Sequence, residues 1–391
     1  MTSEEEALAP AAERAVALDA LRGIALFGVL MVNLVEAFRV PLFEQSLPRV
    51  GPPRGSAIDH VVASIVTSGL ESKALILFSL LFGVGLAAQE ERVRARGASF
   101  ARYAARRLGA LLVIGLVHLF LIWSGDILAL YAIVGLCAAP LLRLSSRVLV
   151  ALALVCFVAQ VAPLPYPRPF DTMEAMQLHV ETARLAYGAG TFGEALAFRV
   201  REVGPMSALL VWSAPRTLGL FLLGACAWRL GIFRRGARRG LLLWIAGLGV
   251  PLGALATYAV SAGWNLGRSR EVAWTWCAIL LAFGYGATLL LAFRRPFLAD
   301  LLAPFAPLGR MALTSYLTQS VVLSVLFYGW GLGLFGKDGE AKAALLGLVL
   351  CGAQIVVSAW WLRRHRFGPL ERLWRSFTYG AWQEDKKSTP T

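Results

Sequence analysis

Charge is scarce in this 391-residue chain: Asp, Glu, Lys and Arg make up 16% of it, against 58% hydrophobic residues. A soluble globular domain carries about 25% charge. The scarcity excludes a water-soluble fold, because the apolar residues come in repeated blocks of roughly 17 to 25, the helix length that ~30 Å of hydrocarbon demands. Histidine and cysteine are also few. The four histidines, His60, His118, His179 and His365, have no ligand-like spacing and HExxH is absent, so no metal is expected. The five cysteines, Cys137, Cys156, Cys226, Cys277 and Cys351, lack CxxC spacing and read as buried packing residues. No P-loop sequence occurs, and GAGTFG at 188–193 and GLGLFG at 331–336 spell GxGxxG without a preceding predicted strand, which excludes a dinucleotide fold. A cleaved signal peptide is not expected, since the first seventeen residues are acidic, with Glu4, Glu5 and Glu6, and no small-x-small site follows the first apolar run.

What is present is an all-α pattern of about ten transmembrane helices. They are predicted near Asp19–Phe38, Lys73–Gln89, Arg107–Trp123, Ile127–Leu142, Val148–Pro163, Met206–Leu230, Gly240–Ala262, Val272–Phe293, Met311–Leu334 and Lys342–Leu362. Ile58–Leu70 is too short to cross and reads as re-entrant or interfacial. The net charge of +14 would suggest nucleic acid in a soluble protein, but here the basic residues lie between apolar blocks, where they set orientation. With the N-terminus inside, inner connections hold Lys and Arg over outer ones by roughly two to one, so both termini are expected in the cytoplasm. The chain then divides into a tail (1–18), a five-span half (19–163), an outer connection (164–204), a second five-span half (205–362) and an inner tail (363–391). The outer connection contains MEAMQLHVETARLAY, whose spacing suits a helix lying on the surface, and the inner tail mixes arginines with Phe367, Leu370, Leu373, Trp374, Phe377, Tyr379 and Trp382, as lipid headgroups favour. Gly249 with Gly253, and Gly329 with Gly333, fit close helix packing.

Polar residues inside spans are costly and mark candidate sites. Asp19 and Arg22 share one helix face at i and i+3, either as a functional pair or as an anchor at the inner helix end. Asn33 lies eleven residues beyond Arg22, about 16 Å deeper. His118 lies eleven residues beyond Arg107, so the two depths coincide. Asp126 follows at the outer turn and either orients the imidazole as a base requires or caps the next helix. Arg216, after Pro215, sits mid-span and needs an anionic partner, from the protein or from a ligand. Glu71 and Lys73 flank the outer end of the second span and read first as a solvated pair, with a cavity-lining role as the alternative. His118, Asn33 and Arg216 are expected to meet at one wet chamber halfway through the bilayer.

RAVALDALRGIALFGVLMVNL, followed by KALILFSLLFGVGL, LIWSGDILALYAI, GRMALTSYLTQSVV and FGPLERLWRSFTYG, resembles the YeiB-like bacterial inner-membrane proteins, which have a C-terminal domain of unknown function. The match runs from Arg14 to Gly380. More distantly, through LDxLRGIA, the chain is similar to the acyltransferase-3 and heparan-glucosaminide acetyltransferase types. That resemblance implies a bacterial inner-membrane enzyme taking an acyl group, often acetyl from acetyl-CoA, and passing it to a hydroxyl or amine acceptor, small molecule, glycan or lipid. Acyltransferase-3 proteins place a functional histidine at the position of Asn33 here. His118, with Asp126 as orienter, is then the histidine left to act as base, with Asn33 or Arg216 stabilising the negative charge that develops on the thioester oxygen, while Arg92–Arg107 and Arg234–Arg239 would attract the coenzyme phosphates. Asp19, Arg22, Glu71, Lys73 and Arg216 are the candidate substrate- and cofactor-binding residues. A transporter of a small organic anion, with Arg216 as counter-charge, is the competing reading. Membrane lipids are the expected partners, and self-association into homo-oligomers is left open.

Overall fold

The computed structural model describes residues 3–48, 55–162, 166–233, 238–261 and 269–379. The predicted interfacial Trp382 and the arginines Arg234 and Arg235 lie outside them. The protein is all-α and polytopic: among the described residues every regular element is a helix, and seven are long and apolar enough to cross a membrane.

In chain order the helices are α1 (Ser3–Asn33), α2 (Ala57–Ile65), α3 (Lys73–Ala95), α4 (Phe100–Val117) and α5 (Leu128–Leu141). They continue with α6 (Ser146–Val161), α7 (Met173–Gly188), α8 (Phe192–Arg229), α9 (Arg239–Ser261) and α10 (Ser269–Ala292). The last are α11 (Pro296–Leu302), α12 (Phe305–Arg310), α13 (Ala312–Phe327), α14 (Glu340–Arg364) and α15 (Pro369–Tyr379). Three of the ten predicted spans fall on the shorter apolar helices α5, α6 and α13. The last is shorter than predicted: α13 ends at Phe327 because Gly329, Gly331 and Gly333 turn the chain back on itself, the last with φ 63°. Gly329 and Gly333 therefore lie in a turn, where Gly329 packs closely on the end of α7, a methyl there standing 2.9 Å from the Ala189 backbone, and Gly333 serves the turn alone. Gly249 and Gly253 do pack closely, against Gly284 and Leu281 of α10.

The chain is already helical from Ser3, so no break separates the predicted tail from the first span; Ala and Glu, both strong helix formers, fill the stretch. α8 likewise runs 38 residues, about 57 Å, well beyond the ~30 Å of hydrocarbon. Its first turns therefore project past the membrane, capped by a Thr191–Glu194 capping box. Among the cysteines, Cys226, Cys277 and Cys351 are buried and Cys156 half-buried, whereas Cys137 is exposed on the outer face of α5, which corrects its reading as a core residue.

α1, α3, α4, α5, α8 and α13 supply most of the central core. α1 packs on α3 and α12, α3 on α8, and α4 on α5 and α15. The tightest of these contacts joins the LDxLRG stretch to α12: a methyl on Gly309 would stand 1.8 Å from the Asp19 carbonyl oxygen, and one on Gly23 2.1 Å from that of Phe305. Backbone meets backbone there, so nothing can swing aside. Gly309→Ala is expected to force the two helices apart at a cost of about 3 kcal/mol or more, read as a lower midpoint of thermal unfolding; an unchanged midpoint would refute this account of the α1–α12 contact.

Candidate functional site

Local backbone explains how His118 and Asp126 come together. α4 ends in a wide π turn over His118–Ile122, closed by the Trp123 N–H donating to the His118 carbonyl at 2.8 Å. The chain then extends at Trp123 and reverses through Ser124–Gly125–Asp126 into α5. Gly115 permits the return, since a methyl there would lie 2.5 Å from the Ala129 nitrogen. One carboxylate oxygen of Asp126 then lies 2.8 Å from His118 Nδ1, while the other accepts from the Ala129 N–H at 2.7 Å. Orienter and cap, the two alternatives for Asp126, are therefore both realised. Both side chains are fully buried, and His118 Nε2 has no hydrogen-bond partner among the described residues. With Nδ1–H donating to Asp126, Nε2 carries the free lone pair, the state a general base needs.

Beside this pair lies a cavity of about 830 Å³. One end is lined by Asp19, Arg22, Arg92, Arg107, Arg310 and Arg375, the other by Phe78, Phe82, Tyr131 and Tyr316. Tyr316 separates the cavity from His118, its ring centroid 5.2 Å from the imidazole. Tyr131 is tied to Ser79, with 2.5 Å between the two hydroxyl oxygens, and lies within electrostatic reach of Arg216. Asp19 and Arg22 form an ion pair at 3.1 Å at the arginine-bearing end.

The expected single chamber is not what forms. None of His118, Asn33 and Arg216 lines this cavity. Counting residues along a helix gives depth but not azimuth, and equal depth leaves open which face each side chain takes. His118 and Arg216 stand behind two neighbouring tyrosines of the cavity wall, whereas Asn33 is half-buried at the end of α1, where the helix widens into a π turn over Leu34–Phe38. Arg216 is buried 6.0 Å from the centre of the Trp212 ring, and no carboxylate is paired with it among the described residues.

Glu71 and Lys73 do not form the solvated pair expected. Lys73 is only 1% exposed, its ammonium 4.4 Å from the centre of the Trp274 ring and 3.4 Å from the Thr67 carbonyl. The half-buried Glu71 lies within electrostatic reach of it, as does Glu36, which accepts from the Thr67 hydroxyl at 3.0 Å. Glu36 sits in the π turn after α1, and Ser72, just before α3, holds a left-handed φ of 61°. Irregular turns of this kind concentrate at functional places.

Several residues not singled out from sequence also take part. Glu202 is fully buried and accepts from Ser124 at 2.5 Å and from Tyr187 at 2.7 Å, with His179 at 3.4 Å. The tail helix α15, with Phe367 just before it, forms a wall of the cavity rather than merely lying at an interface: Phe367, Glu371, Trp374 and Arg375 all line it. Glu371 accepts from the N–H groups of Leu313 (2.7 Å) and Thr314 (3.0 Å) and from the Thr314 hydroxyl (2.6 Å), and so caps α13. Burial pushes its carboxyl upward against the pull of those donors. Glu371→Ala is expected to cost about 1–2 kcal/mol through the lost cap, seen as a lowered unfolding midpoint; no change would mean that water replaces the carboxylate.

Residues 227–381 match the family described as Protein of unknown function (DUF418). Across nearly its whole length the chain is 32% identical to the uncharacterized protein YxaH of Bacillus subtilis, covering 96% of this chain and 97% of the relative. It is 31% identical to the uncharacterized protein YeiB of Escherichia coli, over 94% of this chain and 97% of the relative. The chain belongs to the YeiB-like family. A third relative, an uncharacterized 39.9 kDa protein of Bacillus acidopullulyticus, is 27% identical over 94% of each chain. The DUF418 match of this YeiB-like chain begins near the end of α8, so His118 and Asp126 lie before it, while α13 and α15, which complete the cavity wall, lie within it.

Proposed function

We propose that the protein is an acyltransferase of the bacterial inner membrane, with both termini cytoplasmic, that moves an acyl group from an acyl-CoA, acetyl-CoA in the simplest case, to a hydroxyl or amine acceptor. The observation that carries this reading is the polarity of the cavity: arginines at one end, aromatic rings at the other, and a paired histidine directly behind the aromatic end. Phosphates would be held by the arginines and the thioester would reach the Tyr131–Tyr316 wall. With the Tyr316 ring turned aside, His118 Nε2 takes the proton of the acceptor as its oxygen or nitrogen attacks the thioester carbon. The carbon–sulfur bond then breaks, and the coenzyme thiolate recovers the proton. Arg216, behind Tyr131, supplies positive charge toward the oxyanion of the tetrahedral state. Asn33, the other candidate for that role, borders no part of the cavity.

A second reading, an exporter of a small organic anion, is favoured by one observation: Arg216 is a buried cation with no carboxylate paired to it among the described residues. The experiment that separates the two uses purified protein in liposomes loaded with candidate acceptors and supplied outside with acetyl-labelled acetyl-CoA. Release of free coenzyme A with label on the acceptor supports transfer, whereas anion flux with the acetyl-CoA intact sinks it.

A further inference from the structure

Arg107 is held in an unusual way. Its guanidinium lies 3.6 Å from the centre of the Trp374 ring, and the indole N–H of the same tryptophan donates to the Arg107 carbonyl at 2.6 Å. α15 is thus fastened to α4 at this residue and, further along, by Tyr379 against Tyr103 (ring centroids 5.7 Å), with Glu371 fastening it to α13 a turn away. Among the described residues, no carboxylate or carbonyl accepts from the Arg107 guanidinium. Stacking on an aromatic face leaves the planar N–H edges of arginine available, which is how the side chain grips phosphoryl groups.

The surroundings leave this end of the cavity net positive. Five arginines line the cavity against three carboxylates, and each carboxylate is already engaged. Asp19 is paired with Arg22, Glu91 accepts from the Trp228 indole at 2.7 Å, and Glu371 caps α13. Arg22 and Arg375 stand within electrostatic reach of Arg107, and Arg375 is itself laid over Phe367 at 4.2 Å. Arginines that only anchor a helix at the headgroups point outward from the protein. These converge on a concave space. With five arginines to three carboxylates in its lining, the space carries an excess of positive charge that favours an anion between them.

We propose that Arg107, flat against Trp374, forms with Arg22 and Arg375 a phosphoryl-binding site at the charged end of the cavity, which the C-terminal helix α15 completes. The site rests on the cavity described above and specifies which part of it would hold the phosphates of an acyl-CoA donor. The same chemistry is offered by the headgroup of an anionic phospholipid, and the test separates the two sources.

Full-length protein in phosphatidylcholine nanodiscs is titrated with unacylated coenzyme A and with inorganic pyrophosphate, and separately reconstituted with phosphatidylglycerol, while binding and thermal stabilisation are followed. Wild type is expected to bind coenzyme A saturably. Arg107→Ala is expected to weaken that binding by roughly tenfold or more, the scale of a lost charge-assisted contact, with Arg107→Lys falling between the two because it keeps the charge but not the fork. If Arg107→Ala does not fold, Arg107→Lys and Arg375→Ala carry the test. Binding by phosphatidylglycerol alone, lost in the Arg107 variants, upholds the phosphoryl site and overturns acyl-CoA as the donor. Saturable coenzyme A binding through Arg107 without any acyl transfer upholds the site and overturns the transferase reading. Unchanged affinity in the variants, or no binding of any of the three probes, overturns the site.

Discussion

Replacing His118 by alanine is expected to lower acyl transfer by about 10²–10⁴-fold, the usual contribution of a positioned acid–base group, while coenzyme A binding at the arginine end stays as in wild type. The separation follows from geometry. His118 reaches no part of the cavity surface and touches it only through Tyr316, so its loss removes a proton acceptor but none of the charge that gathers phosphates. Asp126→Asn is expected to lower the rate on a similar scale. Its amide oxygen can still accept from the Ala129 N–H and keep α5 capped, but the NH2 then faces Nδ1 and donates to it, which moves the ring proton to Nε2 and removes the lone pair a base needs. Transfer of labelled acetyl in proteoliposomes gives the rate, and the unfolding midpoint checks the fold. A variant lacking His118 that retains more than a tenth of the wild-type rate would remove it from the chemistry.

The helices were legible because hydrocarbon demands long apolar runs, and the predicted blocks fall on the helices found. What sequence could not supply was azimuth. His118 with Asp126 was legible as a possible pair because a turn of seven residues separates them and only a few geometries close it. Arg216 and Asn33 had matching depth but face other directions, and no spacing rule within one helix reports that. Lys73 read as solvated because charge at a span end usually is; its burial depends on Trp274, two hundred residues away, and on the π turn that brings Thr67 over it. α15 read as an interfacial helix because arginines and aromatics alternate along it. The same residues suit a cavity wall, and only the Glu371 and Trp374 hydrogen bonds to α13 and α4 decide between the two.

Glu202 is the clearest case of a residue whose surroundings reverse its reading, and it carries the second large expectation. In sequence it belongs to an acidic connection; in the structure it is fully buried on the part of α8 that projects beyond the hydrocarbon length. Its carboxylate gathers hydroxyls from the α4–α5 turn (Ser124) and from α7 (Tyr187), with His179 beside them. Arg199, one turn earlier on the same helix and also buried, donates to the Leu121 carbonyl of the π turn at 2.6 Å. Glu202→Ala therefore leaves two buried hydroxyls without their acceptor. The expected cost is about 3–5 kcal/mol, at about 1–3 kcal/mol for each buried group left unsatisfied, seen in purified protein as a much lower thermal midpoint. Glu202→Gln, which keeps the shape and an acceptor oxygen, should cost visibly less. Because Ser124 and Asp126 hang from one turn, the alanine variant should also slow any reaction that depends on His118, even below its unfolding temperature. If Glu202→Ala melts within a degree or two of wild type, water reaches this network, and the turn that aims Asp126 at His118 is held by the Asp126 cap on α5 alone.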